Sequence, residues 1–197
     1  MATGAERTEL NEGSRHPLQH YGMLLMGILA VSTSSILIRL ADAPPLVIGT
    51  WRLLLATLFL TPVAWPLARR EWPRMGHKEI LALLGSGLAL AIHFVAWIYS
   101  LSLTTVASST ILVATNPIFV GLATHFILRE RIARSMLAAI AITLAGSVLI
   151  GYGDIGLSPT ALLGDLLALV GAIAGSGYIL LGQAVRSRVS TLTYVWP

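Results

Sequence analysis

The sequence contains no cysteine and few charged residues. The lack of cysteine excludes a disulfide framework, thiolate metal ligands and a cysteine nucleophile. Only 11% of the 197 residues are charged, against roughly 25% in an ordinary soluble domain, and 55% are hydrophobic. Because a water-facing surface needs more charge than this, the composition favours a chain that lies in a lipid bilayer.

The positive charge and the polar motifs do not indicate a nucleic-acid partner or an enzyme. A nucleic-acid-binding face needs basic residues clustered on a folded polar surface, whereas the basic residues here lie between apolar segments. There is no His-Glu-x-x-His motif, and the segment Ala174-Gly175-Ser176-Gly177 lacks the leading glycine of a Gly-x-Ser-Gly site. We therefore expect no catalytic residue, no metal and no cofactor.

Six apolar stretches are each long enough to cross a bilayer as a helix, which takes about 20 residues. They cover residues 21–41, 46–67, 80–101, 104–128, 135–153 and 162–184. The sequence therefore predicts an all-α, polytopic membrane helix bundle with six spans, preceded by a polar tail over residues 1–19. Since no small-residue cleavage site follows the first apolar run, we interpret that run as a retained span.

The basic residues predict the orientation of these spans. Arg39 and Arg52 lie within or at the ends of spans, and the other eleven basic side chains all fall on one side of the arrangement. We therefore expect a multi-pass protein of the cell (inner) membrane, and the positive-inside rule places its N-terminus in the cytoplasm. The eleven residues are Arg7, Arg15, Arg69, Arg70, Arg74, Lys78, Arg129, Arg131, Arg134, Arg186 and Arg188.

Span 6 repeats part of the pattern of span 1. Spans 1 and 6 run in opposite directions through the membrane, so a five-span unit that restarts at span 6 must restart inverted. Inverted repeats of this kind are the basis of many secondary transporters. The matching pairs are Gly22 with Gly164, Leu24 with Leu166, Leu25 with Leu167, Ala30 with Ala172 and Ser34 with Ser176.

Four short motifs carry a family resemblance, and they all lie between residues 97 and 132. They are Trp97-Ile98-Tyr99-Ser100-Leu101, Thr104-Thr105-Val106-Ala107-Ser108-Ser109, Asn116-Pro117-Ile118-Phe119-Val120 and Leu128-Arg129-Glu130-Arg131-Ile132. This pattern resembles the EamA-type branch of the drug/metabolite transporter superfamily. The Pro45 and Trp51-Arg52 start of span 2 and the Gly-Asp-Leu-Leu-Ala-Leu opening of span 6 are similar to the same family.

The resemblance implies a ten-helix carrier made of two inverted five-helix halves. On that basis residues 20–153 form the first five-helix repeat, and residues 162–197 hold the first helix of the second repeat. The chain ends at Pro197, where a seventh span would begin. We expect it to be the front part of a longer carrier, with a homodimer as the alternative way to complete the core.

Two ionisable residues inside the spans predict an ion pair. A charge within the bilayer costs at least about 2.5–3.5 kcal/mol on insertion scales and is a functional candidate by default. Counted along the helix rise from the outer boundary, Arg52 lies roughly 9 Å deep in span 2 and Asp165 roughly 5 Å deep in span 6. A structural ion pair between them is one interpretation, and Arg52 reaching the outer headgroups alone is the other.

Three further polar residues predict a substrate path near the bilayer centre. Asn116 precedes Pro117, which opens the helix backbone of span 4, and an open backbone needs protein or a water-filled cavity to satisfy it. His93 lies in span 3, with Trp97 one turn further along the same face. The alternative for both His93 and Asn116 is a hydrogen bond to a neighbouring helix.

Small polar residues extend this predicted path. Ser35 in span 1, Ser109 in span 4, and Ser176 and Tyr178 in span 6 are its further candidates. The alternative for the small residues of spans 1 and 6 is close helix packing, which small residues permit. Taken together, the sequence predicts a secondary transporter that moves a small metabolite, an amino acid or a similar solute, by alternating access. The family resemblance implies export. A structural, non-transporting membrane subunit is the alternative.

Overall fold

A computed structural model of the chain describes residues 17–127, 129, 134–155 and 158–197. Within these ranges the chain is helical and contains no strand, so the predicted all-α polytopic membrane bundle is confirmed. Most of the predicted N-terminal tail lies outside the described residues. So does most of the Leu128-Arg129-Glu130-Arg131-Ile132 motif, of which the description covers Arg129.

Eight α-helices and one short 3-10 turn make up the described structure. The 3-10 turn, Trp72–Arg74, follows α2. The helices are α1 (Pro17–Leu40), α2 (Pro45–Glu71), α3 (His77–Leu103), α4 (Val106–Val113), α5 (Asn116–Ile127), α6 (Arg134–Ile155), α7 (Pro159–Arg186) and α8 (Thr191–Val195).

Five helical segments of the described chain are long and apolar enough to cross a membrane. They correspond to predicted spans 1, 2, 3, 4 and 6. The predicted fifth span corresponds to α6, of which Arg134–Leu149 forms a shorter apolar helix. The five segments are Tyr21–Leu40, Pro45–Arg74, His77–Leu103, Val106–Phe126 and Thr160–Arg186.

Predicted span 4 is broken into α4 and α5, as Pro117 predicts. Thr105 caps the start of α4, because its side chain accepts a hydrogen bond from the Ser108 N–H at 3.0 Å. The helix ends at Val113, and α5 starts at Asn116. The Thr115 hydroxyl donates to the Leu112 carbonyl at 2.6 Å, which satisfies one of the groups that the break exposes.

Glycines let α3 and α7 pack closely along their length. A Cβ atom at Gly85 of α3 would lie 3.4 Å from Leu181 of α7, and one at Gly177 of α7 would lie 3.7 Å from Ala89. At the other end of the pair, a Cβ at Gly164 would lie 3.0 Å from Leu103. Residue numbers fall on α7 as they rise on α3, so the two helices are antiparallel.

The antiparallel packing of α3 and α7 indicates the direction in which α6 runs. Gly164, near the start of α7, lies beside Thr104 at the end of α3. Since α4 and α5 carry the chain away from that end, α6 must return it. The contacts of α6 are consistent with this direction. Met136 lies beside Gly121 of α5, and Leu144 lines the same cavity as Leu166 of α7. This path supports a sixth crossing, and the count of six spans stays a prediction.

The chain divides into two compact units, one ending at Leu40 and the other covering Ala41–Pro197. Within α1, the Thr33 hydroxyl donates to the Leu29 carbonyl at 2.7 Å. The Ser35 hydroxyl donates to the Ser32 carbonyl at 3.0 Å. These bonds keep the two hydroxyls satisfied within their own helix.

Candidate functional site

Three helices meet at a glycine pair in the middle of α7. A Cβ atom at Gly171 would lie 3.4 Å from the His93 carbonyl oxygen, and one at Gly175 would lie 2.9 Å from His93 Nδ1. The Asn116 amide, at the start of α5, would lie 3.2 Å from the same Gly175 position. The absence of a side chain at Gly175 leaves room for both polar side chains, so α7 brings the predicted candidates His93 and Asn116 together.

Asn116 connects the broken helix to α7. In the amide orientation that satisfies both partners, its nitrogen donates to the carbonyls of Ala172 and Val113, at 2.7 and 3.0 Å. The Ser176 hydroxyl bonds the Asn116 and Ala172 carbonyls, at 3.0 and 2.8 Å. Asn116 and Ser176 therefore both make hydrogen bonds between α5 and α7, and the place of the two residues in a substrate path stays a prediction.

His93 is held in the same junction. Its Nδ1–H donates to the Gly171 carbonyl at 2.8 Å, which fixes the orientation of the imidazole ring. The ring stacks on Trp97, with centroids 6.1 Å apart and planes 24° apart. Trp97 is 5% exposed, and its Nε1 is buried without a hydrogen-bond partner among the described residues.

Ser109 packs α4 against α3 close to Trp97. Its hydroxyl is hydrogen-bonded to the Ser100 hydroxyl, and both serines are fully buried. The Ser100 hydroxyl also donates to the Trp97 carbonyl at 2.8 Å. This arrangement is the close helix packing that small residues permit.

Arg52 of α2 lies over two aromatic rings of α3. Its guanidinium carbon is 4.8 Å from the Phe94 ring centroid and 5.3 Å from the Trp97 ring centroid. Cation–π contacts at this distance are attractive and strengthen when the cation is desolvated. They connect Arg52 to the junction that holds His93.

Asp165 of α7 lines a different cavity from Arg52. It is 4% exposed and borders a space of about 250 Å³ between α4, α5, α6 and α7. Leu112, Ser147 and Leu169 line the same space. The predicted ion pair of Arg52 with Asp165 stays a prediction.

A larger cavity of about 660 Å³ lies between α2 and α3. Its walls are mainly aliphatic, and Arg52 is the single formally charged side chain among its described lining residues. A volume of this size is within the range of small-molecule sites, about 300–1,000 Å³. Its polar and aromatic lining residues are Arg52, Thr57, Ser86, Phe94, Tyr178 and Tyr194.

Tyrosines close the end of this cavity opposite Arg52. The Tyr194 hydroxyl of α8 donates to the Tyr178 carbonyl at 2.8 Å and is also hydrogen-bonded to the Ser86 hydroxyl. The two tyrosine rings stack with centroids 5.4 Å apart. Arg186 lies 5.8 Å from the centroid of the Tyr194 ring. The predicted candidate Tyr178 therefore borders the cavity together with Tyr194, which was not predicted from the sequence.

The segment that carries Tyr194 is fixed to the ends of α2 and α3. The Glu71 carboxylate accepts hydrogen bonds from the Ser190 N–H and hydroxyl, at 2.9 and 3.1 Å. The Arg188 guanidinium lies 3.5 Å from the Glu79 carboxylate. These contacts bring basic residues of the loop after α2 and of the segment after α7 to the same end of the bundle.

The structure thus groups four of the seven predicted path residues, His93, Trp97, Asn116 and Ser176, at one junction. Ser109 lies beside it, Tyr178 borders the large cavity, and Ser35 lies on α1. Three residues that line the large cavity were not predicted from the sequence: Phe94, Ser86 and Tyr194. Phe94 had a usable signal, because it lies three residues before Trp97 on the helix surface. Within the described residues, no group of three His, Cys, Asp or Glu side chains is placed to hold a metal ion.

The comparisons with known proteins agree with this architecture. The model of the EamA-like transporter family matches residues 20–152. The chain is also 26% identical over 145 residues, which are 72% of its length, to the uncharacterized transporter YetK of Bacillus subtilis (strain 168). Those residues cover 44% of YetK, so the chain spans less than half of that relative. No solved structure matches the chain significantly. A multi-pass helical bundle with this family match identifies the chain as a member of the EamA-like transporter family.

Proposed function

We propose that the chain is part of a carrier that moves a small solute across the cell (inner) membrane by alternating access. The observation that supports this most is the cavity of about 660 Å³ between α2 and α3, with Arg52 at one end and the tyrosine pair at the other. A cation inside a membrane protein generally marks a substrate or ion pathway. Most of the cavity wall is apolar, which suits a small organic solute.

The junction of α3, α5 and α7 belongs to this proposal as the support of the cavity. Arg52 lies on the Phe94 and Trp97 rings, and Trp97 stacks on His93. His93 is in turn bonded to the α7 backbone at Gly171. A shift of α7 against α3 is therefore transmitted to the rings under Arg52. This is a route by which movement of one helix changes the cavity.

The proposed orientation has the N-terminus in the cytoplasm. It is supported by the contacts that bring the segment after α7 to the end of α2 and the start of α3, since both segments are basic. Arg70 and Lys78 lie in one of them, and Arg186 and Arg188 in the other. The positive-inside rule assigns such an end to the cytoplasm. Export of the solute is the direction that the family resemblance implies.

Transport by the full-length protein in proteoliposomes tests the proposal. A panel of labelled amino acids, organic acids, sugars and amines would be loaded inside the vesicles and their exchange with external solute measured. We expect exchange of at least one class well above that of protein-free vesicles. No exchange of any class would contradict transport and favour the alternative, a structural membrane subunit.

The contribution of the junction is tested by replacing His93, Trp97 and Asn116 together with alanine. We expect the triple variant to lose most of the exchange, because Arg52 loses one supporting ring and α5 loses its bond to α7. A matched control is Thr143→Val on α6, whose hydroxyl bonds the Ala139 carbonyl of its own helix. Normal exchange by the triple variant would contradict the assignment of these residues.

The proposed orientation is tested by labelling single cysteines, since the chain has none of its own. Ala43 lies between α1 and α2, Thr160 lies at the start of α7 and Ser187 directly follows the end of α7, and all three are exposed. A membrane-impermeant maleimide applied to intact cells should label Ala43→Cys and Thr160→Cys but leave Ser187→Cys unlabelled until the cells are opened. The reverse pattern would contradict a cytoplasmic N-terminus.

A further inference from the structure

We propose that the end of α2 at which Arg69 and Arg70 lie binds the headgroup of an anionic phospholipid through Arg70, with Arg69 and Lys78 adding to the positive charge. The acyl chains of this lipid lie along the exposed face of α2 that leads to Arg70. The inference goes beyond the proposed function, because these residues lie outside the lining of the cavity between α2 and α3. The site therefore does not depend on the solute that the protein moves.

The face of α2 that leads to Arg70 is apolar and exposed. It is formed by residues spaced four, three and four positions apart, and such residues lie on one side of a helix. They are Phe59, Val63, Pro66 and Arg70. Phe59 is 78% exposed and Val63 is 59% exposed, and the other two residues are exposed as well. Because α2 is long and apolar enough to span a bilayer, hydrocarbon chains are the surroundings that suit this face.

Tryptophans mark the level of the headgroups beside this face. Trp65 and Trp72 lie on either side of Arg69 and Arg70 in the sequence, and their rings pack edge to face with centroids 6.5 Å apart. Trp65 is 45% exposed. Tryptophan is enriched where hydrocarbon meets the headgroups, because its ring is apolar and its N–H is polar. Arg69 and Arg70 therefore lie where the phosphate of a lipid lies when its chains extend along α2.

The positive charge at this end of α2 exceeds the negative charge. Both acidic residues of this end, Glu71 and Glu79, already bind the segment that follows α7. Arg69, Arg70 and Lys78 are exposed, and none of them forms an ion pair within the described part of the chain. These three cations are therefore available to an anionic ligand from outside the chain.

An anionic phospholipid matches this arrangement. The guanidinium group of an arginine presents its N–H donors in a planar fork, which binds two oxygens of a phosphate at once. Each lysine or arginine close to a membrane that contains anionic lipid strengthens the attraction by an amount that corresponds to about fivefold in affinity. A phosphatidylcholine headgroup carries the same phosphate, but the neighbouring basic residues repel its choline cation. The site therefore selects lipids with a net negative charge, such as phosphatidylglycerol, over phosphatidylcholine.

Fluorescence quenching at Val63 tests the proposal. A cysteine at this position, in a cysteine-free form of the full-length protein, would be labelled with bimane in nanodiscs that contain phosphatidylcholine and phosphatidylglycerol in varied proportions. Bromine on the acyl chains of one lipid at a time quenches the label. The quenching therefore gives the affinity of this face for phosphatidylglycerol relative to phosphatidylcholine. We expect a preference of about tenfold or more, and equal affinities of the two lipids would overturn the proposal.

Variants assign the preference to Arg70. Arg70→Gln should reduce it about fivefold, and the same change at Arg69, Arg70 and Lys78 together should leave less than about twofold. Arg70→Lys should keep most of the preference, because the charge stays. The matched control is Arg134→Gln, which removes an exposed arginine at the start of α6 and should leave the preference unchanged. An unchanged preference in Arg70→Gln would overturn the proposal. An equal loss in Arg134→Gln would show a general attraction between basic residues and anionic lipid, which also overturns the proposed site.

A second copy of the chain, or the rest of the full-length protein, is the other kind of occupant that this face allows. No quenching at Val63 by either brominated lipid would show that protein covers the face, and that result would overturn the proposal. The quenching does not depend on exchange of solute. A lost preference with intact exchange in proteoliposomes therefore rejects the lipid site and leaves transport standing, whereas the expected preference without exchange does the opposite.

Discussion

The indole N–H of Trp196 donates a hydrogen bond to the hydroxyl of Thr61, at 2.8 Å, and this bond connects the end of α8 to α2. Trp196 also stacks on Trp72, with ring centroids 5.3 Å apart, and meets the edge of Trp65 at 5.7 Å. The contacts hold α8, and with it Tyr194, at one end of the cavity between α2 and α3.

Replacing Thr61 with valine should loosen this attachment. Valine keeps the shape of the side chain but removes the acceptor, so the Trp196 N–H loses its partner, at a cost of about 1–3 kcal/mol. The midpoint of thermal unfolding in detergent would fall, and a cysteine at Val195 would react faster with a maleimide. Thr143→Val is the control, because both threonines bond a carbonyl of their own helix, at 2.7 and 2.8 Å. Equal effects of the two variants would contradict a specific role for the Trp196 bond.

The two acidic residues at the same end of the bundle should differ in their contribution to stability. Glu71 accepts two hydrogen bonds from Ser190, whereas the Glu79 partner Arg188 has a side chain that is 69% exposed. Exposed ion pairs contribute about 0–1 kcal/mol, and hydrogen bonds to a charged group contribute more. We expect Glu71→Ala to lower the free energy of unfolding by about 1–2 kcal/mol more than Glu79→Ala does. Added salt should reduce the destabilisation caused by Glu79→Ala more than that caused by Glu71→Ala. A larger decrease in the free energy of unfolding for Glu79→Ala than for Glu71→Ala would contradict this prediction.

Gly164 should not tolerate even a methyl group. A Cβ atom there would lie 2.9 Å from the backbone nitrogen of Thr104, and backbone cannot move aside as the end of a flexible side chain can. Overpacking of this kind costs about 1–3 kcal/mol. Gly146→Ala on α6 is the control, since no described atom lies within 4 Å of its new Cβ and helix propensity favours alanine. The midpoint of thermal unfolding of the purified variants would be compared. We expect it to fall in Gly164→Ala and not in Gly146→Ala, and an unchanged midpoint in Gly164→Ala would contradict the close approach of α7 to α3.

Much of the fold follows from the sequence, because hydropathy and breaks act locally. The apolar runs predict where the helices lie, and Pro117 predicts the break between α4 and α5. Which helices pack against each other cannot be predicted in the same local way. Depth along a span can be counted from the sequence, but the direction in which a side chain faces around its helix depends on the neighbouring helices.

Arg52 and Asp165 illustrate this limit. Their similar depths predict a pair, which stays a prediction, but depth alone does not predict that Arg52 lies over the Phe94 and Trp97 rings or that Asp165 borders the space between α4, α5, α6 and α7. Tyr194 shows a second limit. Its role depends on a segment of five helical residues, capped by Ser190, that folds back on α2 and α7. So short a helix has no hydropathy pattern from which such a contact is predicted.

The orientation of the Asn116 amide gives the sharpest test of the junction. Its nitrogen faces two carbonyl oxygens, those of Ala172 and Val113. Aspartate has the same shape but would place a carboxylate oxygen against both carbonyls, and a buried charge without a donor is strongly unfavourable. We expect Asn116→Asp to lower the free energy of unfolding by about 2 kcal/mol or more beyond the loss in Asn116→Ala, which removes the donor without adding an acceptor. Gln183→Glu makes the same amide-to-acid change at an exposed position of α7 and should leave unfolding nearly unchanged. An Asn116→Asp protein as stable as the Asn116→Ala protein would mean that the Asn116 side chain faces a donor, and the bond between α5 and α7 would then have to run through the Ser176 hydroxyl alone.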